Sequence, residues 1–180
     1  MTIAVREAPT SVGEKFDRAI AILAAMPGRN HSSTGYRHIG PFPRRVLEGI
    51  PRSEADLAAP YSMGWQYLVQ DADGYGVLDI SGKPDGSYSS FRRGDFALGY
   101  FEALEAAQAD ASSTPGVHEL EIVDIPSAFT LLITMRAQEL TLYPAFFRGK
   151  RIVPSSRTLG DLQSLRPGDF HRDDGGPSLI

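Results

Sequence analysis

Residues Glu119–Phe147 read ELEIVDIPSAFTLLITMRAQELTLYPAFF. Within this block Phe129, Leu131, Ile133 and Met135 alternate with Thr130, Leu132 and Thr134, the period of a strand with one buried face. Apolar segments on either side, Glu119–Ile125 and Leu140–Tyr143, predict neighbouring strands, with Pro126 bending the first junction. Pro144 has no N–H to give a ladder, so it is expected at a strand end. The block is predicted to be the centre of a sheet and of the core.

Working outward, Trp65–Gln70 and Tyr75–Ser81 read as a hairpin joined by the turn residues Asp71-Ala72-Asp73-Gly74, and Ser87–Phe91 as a short third strand. Phe96, Tyr100, Ala103, Leu104 and Ala107 fall at helical spacing behind Asp95, an expected N-cap. A second amphipathic helix is expected over residues 12–26, where Phe16, Ala19, Ile20 and Leu23 follow the capping-box form Ser11-Val12-Gly13-Glu14. Five prolines break residues 27–60 into short pieces. Helical turns are expected at Arg44–Glu48 and, capped by Ser53, at Glu54–Ala58. Residues 28–62 are therefore expected to cover one edge of the sheet. Arg151–Val153 adds an edge strand, Thr158–Leu165 a short helix, and residues 1–10 and 169–180 read as flexible ends.

Helix, hairpin, helix and a run of strands predict one α+β domain over residues 1–180. Its sheet is expected to be mostly antiparallel, with about five to six strands and both main helices on one face.

Composition narrows the function classes. The chain has 180 residues and a net charge of -4, from 18 Lys+Arg against 22 Asp+Glu. Nucleic-acid binders draw affinity from phosphate neutralisation and carry a basic excess, so no nucleic-acid partner is expected. The absence of cysteine excludes a disulfide scaffold, a thiol nucleophile, a Cys-ligated zinc site and an iron–sulfur cluster. The strongest apolar run, Ala19–Met26, is far short of a membrane span. Glu14 and Asp17 before it do not fit the basic start of a signal peptide. A cytoplasmic protein without membrane contact is expected.

Few residues suggest chemistry. Asn30–His38 (NHSSTGYRH) is the densest polar segment, and could hold an anion on Arg37 with His31 or His38 moving a proton. A self-satisfied polar loop explains it more simply. Asp71–Gly74 lacks the first and twelfth ligands of a calcium loop, which fall on Val69 and Ile80. Arg93-Gly94-Asp95 resembles an adhesion tripeptide only by chance, whereas Arg92 and Arg93 stand where an anion could meet a helix start. His118 precedes a strand whose Glu119 and Glu121 alternate away from Leu120 and Ile122. Asp169–Asp174 surrounds His171 with carboxylates but is flanked by glycine and proline. No phosphate loop, nucleotide fingerprint, nucleophile elbow or zincin motif is present, and neither a cofactor nor a metal is expected.

The expected function is a non-catalytic binding or assembly module acting on a protein partner or by homo-oligomerisation. Its surface is expected at Tyr143, Phe146, Phe147, Arg148, Lys150 and Arg151, where aromatic and basic residues meet at a hairpin tip. The alternative is a small-molecule enzyme or binder with a pocket between the sheet and residues 28–62. Tyr36, Trp65 and Tyr67 would line it, Arg37 or Arg92 would hold an anion, and His31, His38 or His118 would act as acid or base.

Overall fold

The computed structural model describes residues 2–4, 7–26, 35–58, 62–86 and 88–171. The strands are β1 (Thr2–Ala4), β2 (Arg37–Val46), β3 (Ser62–Asp71), β4 (Gly74–Ser81), β5 (Tyr88–Arg93), β6 (Val117–Ile125), β7 (Thr130–Arg136), β8 (Leu140–Phe147) and β9 (Lys150–Arg151). The helices are α1 (Thr10–Ala24), α2 (Glu54–Leu57), α3 (Asp95–Ser113) and α4 (Leu159–Gln163). All nine strands belong to one sheet in the order β5-β4-β3-β2-β6-β7-β8-β9, with β1 also on β6. The fold is α+β, but the sheet is mixed and larger than expected, because β1 and β2 both run parallel to β6.

The difference has its origin in β2. Residues 37–46, expected partly as cover and partly as a helical turn, form a ten-residue strand at the sheet interior. Pro41 falls where the ladder with β3 is irregular, between Ile39 and Phe42, while Pro43 pairs with Trp65 and precedes the pairing with β6, which runs over Arg44–Val46.

The two main helices lie on opposite faces, contrary to expectation. α3 packs on Leu68, Val77, Leu120, Ile122, Leu131 and Ile133. α1 packs on Trp65, Tyr67, Val69, Leu78 and Ile80. These sets alternate along β3 and β4, so they belong to opposite faces. The rest of the α1 face, over β6–β8, is closed by Leu57 of α2, Leu162 of α4 and the segment around Ile152. Strand β7 is thus buried on both sides. Leu131 and Ile133 face α3 while Leu132 faces Val123 and Leu142, each contributing roughly 1.5–3 kcal/mol of burial.

Local signals account for the helices. α1 buries Val12, Phe16, Ala19, Ile20 and Leu23 in one stripe. Buried Lys15 ties it to the β4–β5 turn, its Nζ donating to Ser81 O at 3.1 Å and to Lys83 O. The expected Ser11 box does not form. The helix begins two residues earlier, at Thr10 behind Pro9, with no side-chain cap. α3 likewise starts after Gly94, whose φ of 74° suits glycine, and Asp95 is its first residue rather than its cap. Its buried stripe is rich in alanine, and Gly99 brings it so close to β8 that a Cβ there would stand 2.9 Å from Phe146 Cε2. Ser53 caps α2, its N–H donating to Asp56 Oδ2 at 3.0 Å.

Candidate functional site

Five strands each place a polar side chain on the α3 face. On β4, Asp79 shares its face with Val77; on β6, Asp124 shares its face with Ile122. Gln66 of β3 is the register partner of Asp79. Arg44 of β2 and Arg92 of β5 project over the same floor, as their contacts show. Gln66 Nε2 donates to Asp79 Oδ1 at 2.6 Å, and Ser90 Oγ donates to Asp79 Oδ2. Arg92 Nη2 donates to Asp79 Oδ2 at 3.0 Å and to Asp124 Oδ2 at 3.2 Å. Arg44 Nη2 donates to the same Asp124 oxygen at 2.7 Å, and its Nε stands 3.6 Å from Asp79 Oδ1.

The two carboxylates are almost inaccessible, with side chains 3% and 4% exposed, whereas Arg92 is 31% exposed. Two cations meet two anions, so the cluster is formally neutral. Such a buried network adds little net stability, because desolvation offsets the Coulomb attraction. Its polar capacity is also incompletely used. Tyr100 OH, Gln66 Oε1, Arg44 Nε and Arg92 Nε are buried without a hydrogen-bond partner among the described residues. Burial, then the Asp79 charge, push the Tyr100 phenol well above its ordinary pKa, with Arg92 opposing.

Arg92 and Asp124 of the cluster, together with Arg93 and Thr130, line the polar part of a cavity of about 590 Å³ walled by Phe96, Pro126, Phe129 and Phe146. The Phe96 and Phe146 rings are 5.5 Å apart, and the Arg92 guanidinium lies 4.0 Å above Phe96. Phe129, expected as an inward core residue, instead occupies a left-handed turn (φ 45°) after Pro126–Ala128 and is 76% exposed. The β8–β9 turn holds it there. Gly149 N–H donates to Phe129 O at 2.9 Å, and Arg148 N–H donates to Thr130 Oγ1 at 3.1 Å. Arg93 points to the other face, paired with Asp71 and lying over Phe91.

The residues singled out from sequence are distributed differently. His31 lies outside the described residues. His38 stacks near Phe16 and Tyr67 on the α1 face, and Trp65 and Tyr67 are buried against α1. Tyr36 is partly buried there, while Arg37 is exposed at the start of β2. His118 is buried at the other end of β6 from Asp124, its Nε2 3.1 Å from Thr114 O. Arg92 lies on the opposite face from Trp65 and Tyr67. Those among the described residues share no cavity, since strand β2 takes the place expected for a cover.

The hairpin tip at Arg148-Gly149 forms as expected, but the aromatic surface around it is rearranged. Tyr143 is buried under α3, its hydroxyl donating to Asp110 Oδ2 at 2.9 Å. Burial first, then Asp110, raises its pKa. Phe147 is buried on the other face beside Val123 and Leu132. Phe146 remains as a cavity wall, and Phe129 is the exposed ring at this end. Arg148 and Lys150 are exposed, while Arg151 stands 3.8 Å from Glu102.

Sequence reading missed Arg44, Gln66, Asp79 and Asp124. A signal existed for the carboxylates: each shares its strand parity with a buried apolar residue, Asp79 with Val77 and Asp124 with Ile122, where an unpaired charge would be costly. Among the described residues no group of three His, Asp or Glu could hold a metal ion, and no helix is long and apolar enough to cross a membrane. No protein-family model, curated protein or solved structure matches the chain.

Proposed function

We propose that the protein is a non-catalytic binding module that grips a segment of a protein partner at the Phe129 cavity. The observation that carries this reading is Phe129 itself, a ring 76% exposed on the rim of an aromatic-walled cavity and held in a costly left-handed conformation by the adjacent turn. Large apolar contact area on a rigid element, next to arginine, is the composition of interface hot spots. Arg92, lying over the Phe96 ring in the same cavity, would supply polar contacts there, whereas the exposed Arg148 and Lys150 lie over Phe147 and Phe170 on the other face. The described histidines are separated, which favours binding over acid–base chemistry.

The reading is tested by selecting a displayed peptide library against the full chain, with Phe129→Ala for counter-selection. Enrichment of peptides that bind the natural sequence and lose affinity for the variant by tenfold or more is expected. Failure to enrich any Phe129-dependent peptide, together with a monomeric sedimentation profile unchanged by Phe129→Asp, would remove both partner binding and self-association at this surface.

A further inference from the structure

The cavity's polar end restricts what a partner can present there. We infer that the Phe129 cavity takes an apolar side chain together with an uncharged amide of the partner's chain, the amide oxygen accepting from Arg92 and its N–H donating to Asp124. The inference rests on the proposed protein-binding role and specifies the chemistry of the occupant.

Charge is the first argument. Among the described residues Arg44, Arg92, Asp79 and Asp124 already pair two cations with two anions. An added carboxylate would meet Asp124 at the cavity surface, and an added ammonium would meet Arg92. In either case a like charge is brought against one of the pair, beside carboxylates that are only 3% and 4% exposed, at a cost in desolvation and repulsion. The hydrogen-bonding inventory is the second argument. Among the described residues Arg92 reaches both carboxylates through Nη2, which leaves other guanidinium N–H groups for an acceptor. Asp124 receives Arg44 and Arg92 on one oxygen, and a carboxylate can accept about four hydrogen bonds. Donor and acceptor thus stand side by side, complementary to an amide. Shape is the third: Phe96, Phe129, Phe146 and Pro126 surround that pair with apolar surface, within the size range of cavities that enclose small groups.

The test titrates the full-length, isotope-labelled protein with three probes of one aromatic body at pH 7. These are N-acetyl-L-phenylalaninamide (neutral), N-acetyl-L-phenylalanine (anion) and phenethylamine (cation). The neutral amide is expected to bind about tenfold or more tightly than either charged probe, moving the Phe96, Phe129 and Phe146 resonances and the Arg92 side-chain N–H signals. Asp124→Asn should narrow the gap to the anionic probe. Equal or tighter binding of a charged probe overturns the amide inference while leaving partner binding intact if Phe129-dependent peptides are found. No saturable binding of any probe overturns it too, and combined with a failed peptide selection removes the parent reading. If Asp124→Asn does not fold, the order of the three probes on the natural sequence decides alone.

Discussion

Arg44 and Asp124 stand 80 positions apart in the chain and meet through a 2.7 Å hydrogen bond across the parallel β2–β6 pair. This contact links the two halves of the sheet: β2 leads to the β3–β5 side and β6 to the β7–β9 side. Arg92 extends it to Asp79, so four charges from four strands share one low-dielectric floor.

Removing one member should be far more damaging than removing a matched pair. Asp124→Leu leaves two partly buried guanidinium groups sharing one carboxylate, and is expected to cost up to about 3–5 kcal/mol. Adding Arg44→Met should recover part of that loss, giving a coupling energy of at least about 1 kcal/mol in a double-mutant cycle. Urea unfolding midpoints of the four proteins measure it. Additive losses would show that the two side chains do not act as a unit.

Gly99 should tolerate no side chain. A Cβ there meets Phe146 Cε2 at 2.9 Å, Ala145 O at 3.1 Å and Arg151 Cγ at 3.1 Å. Two of these neighbours are parts of side chains, but the carbonyl belongs to strand β8. Alanine improves helix propensity by about 1 kcal/mol, yet overpacking costs about 1–3 kcal/mol. Gly99→Ala is therefore expected to be net destabilising in thermal unfolding, whereas the same change at Gly13, where nothing stands within 4 Å, should be stabilising.

Phe129 should separate stability from binding. Its φ of 45° is left-handed, a conformation costing a residue with a Cβ about 1–2 kcal/mol. Little burial is lost on removing a ring that is 76% exposed. Phe129→Gly is expected to unfold at higher denaturant than the natural sequence by an amount of that order, and to lose the peptides that the cavity selects. A drop in stability would mean that the ring is held by the fold rather than offered to a partner.

Alkaline pH should destabilise the protein through its buried phenols. Tyr67, Tyr100 and Tyr143 all have raised pKa values, burial being the first cause in each. A raised folded-state value means that the unfolded chain ionises first. Stability is then intact below about pH 10 and declines as pH rises from there toward the folded-state values. Absorbance of tyrosinate near 295 nm should show these phenols resisting titration until unfolding, and Tyr143→Phe should lessen the alkaline loss. Full titration of every tyrosine in a still-folded chain near pH 10 would contradict the burial.

At the other end of the pH scale α4 should loosen. Thr158 caps it reciprocally with Asp161, whose pKa is lowered by the Thr158 backbone N–H and then by its hydroxyl. A lowered carboxylate pKa contributes stability that is present above about pH 3.9 and is lost as pH falls through the folded-state value. Amide exchange in Leu159–Gln163 is expected to accelerate there, and Thr158→Ala should produce the same local loosening at neutral pH.

Local order in this chain follows from residues close together in sequence. The apolar stripe Phe16/Ala19/Ile20/Leu23, the hairpin at Asp71–Gly74 and the strand parity of Leu131, Ile133 and Met135 all appear in the structure, because each depends on backbone geometry over a few residues. Tertiary structure decided the remainder. Periodicity reports how many faces of an element are buried, not which element covers them, so it did not distinguish helices on one face from helices on two. Nor did it place β2 inside the sheet, since Pro41 fits only where the ladder with β3 is irregular and Pro43 only before the pairing with β6 begins. The Arg44–Asp79–Arg92–Asp124 cluster was hidden for the same reason. Its four charges lie on four different strands, and their meaning arises when the sheet order brings partners from distant positions within hydrogen-bonding reach.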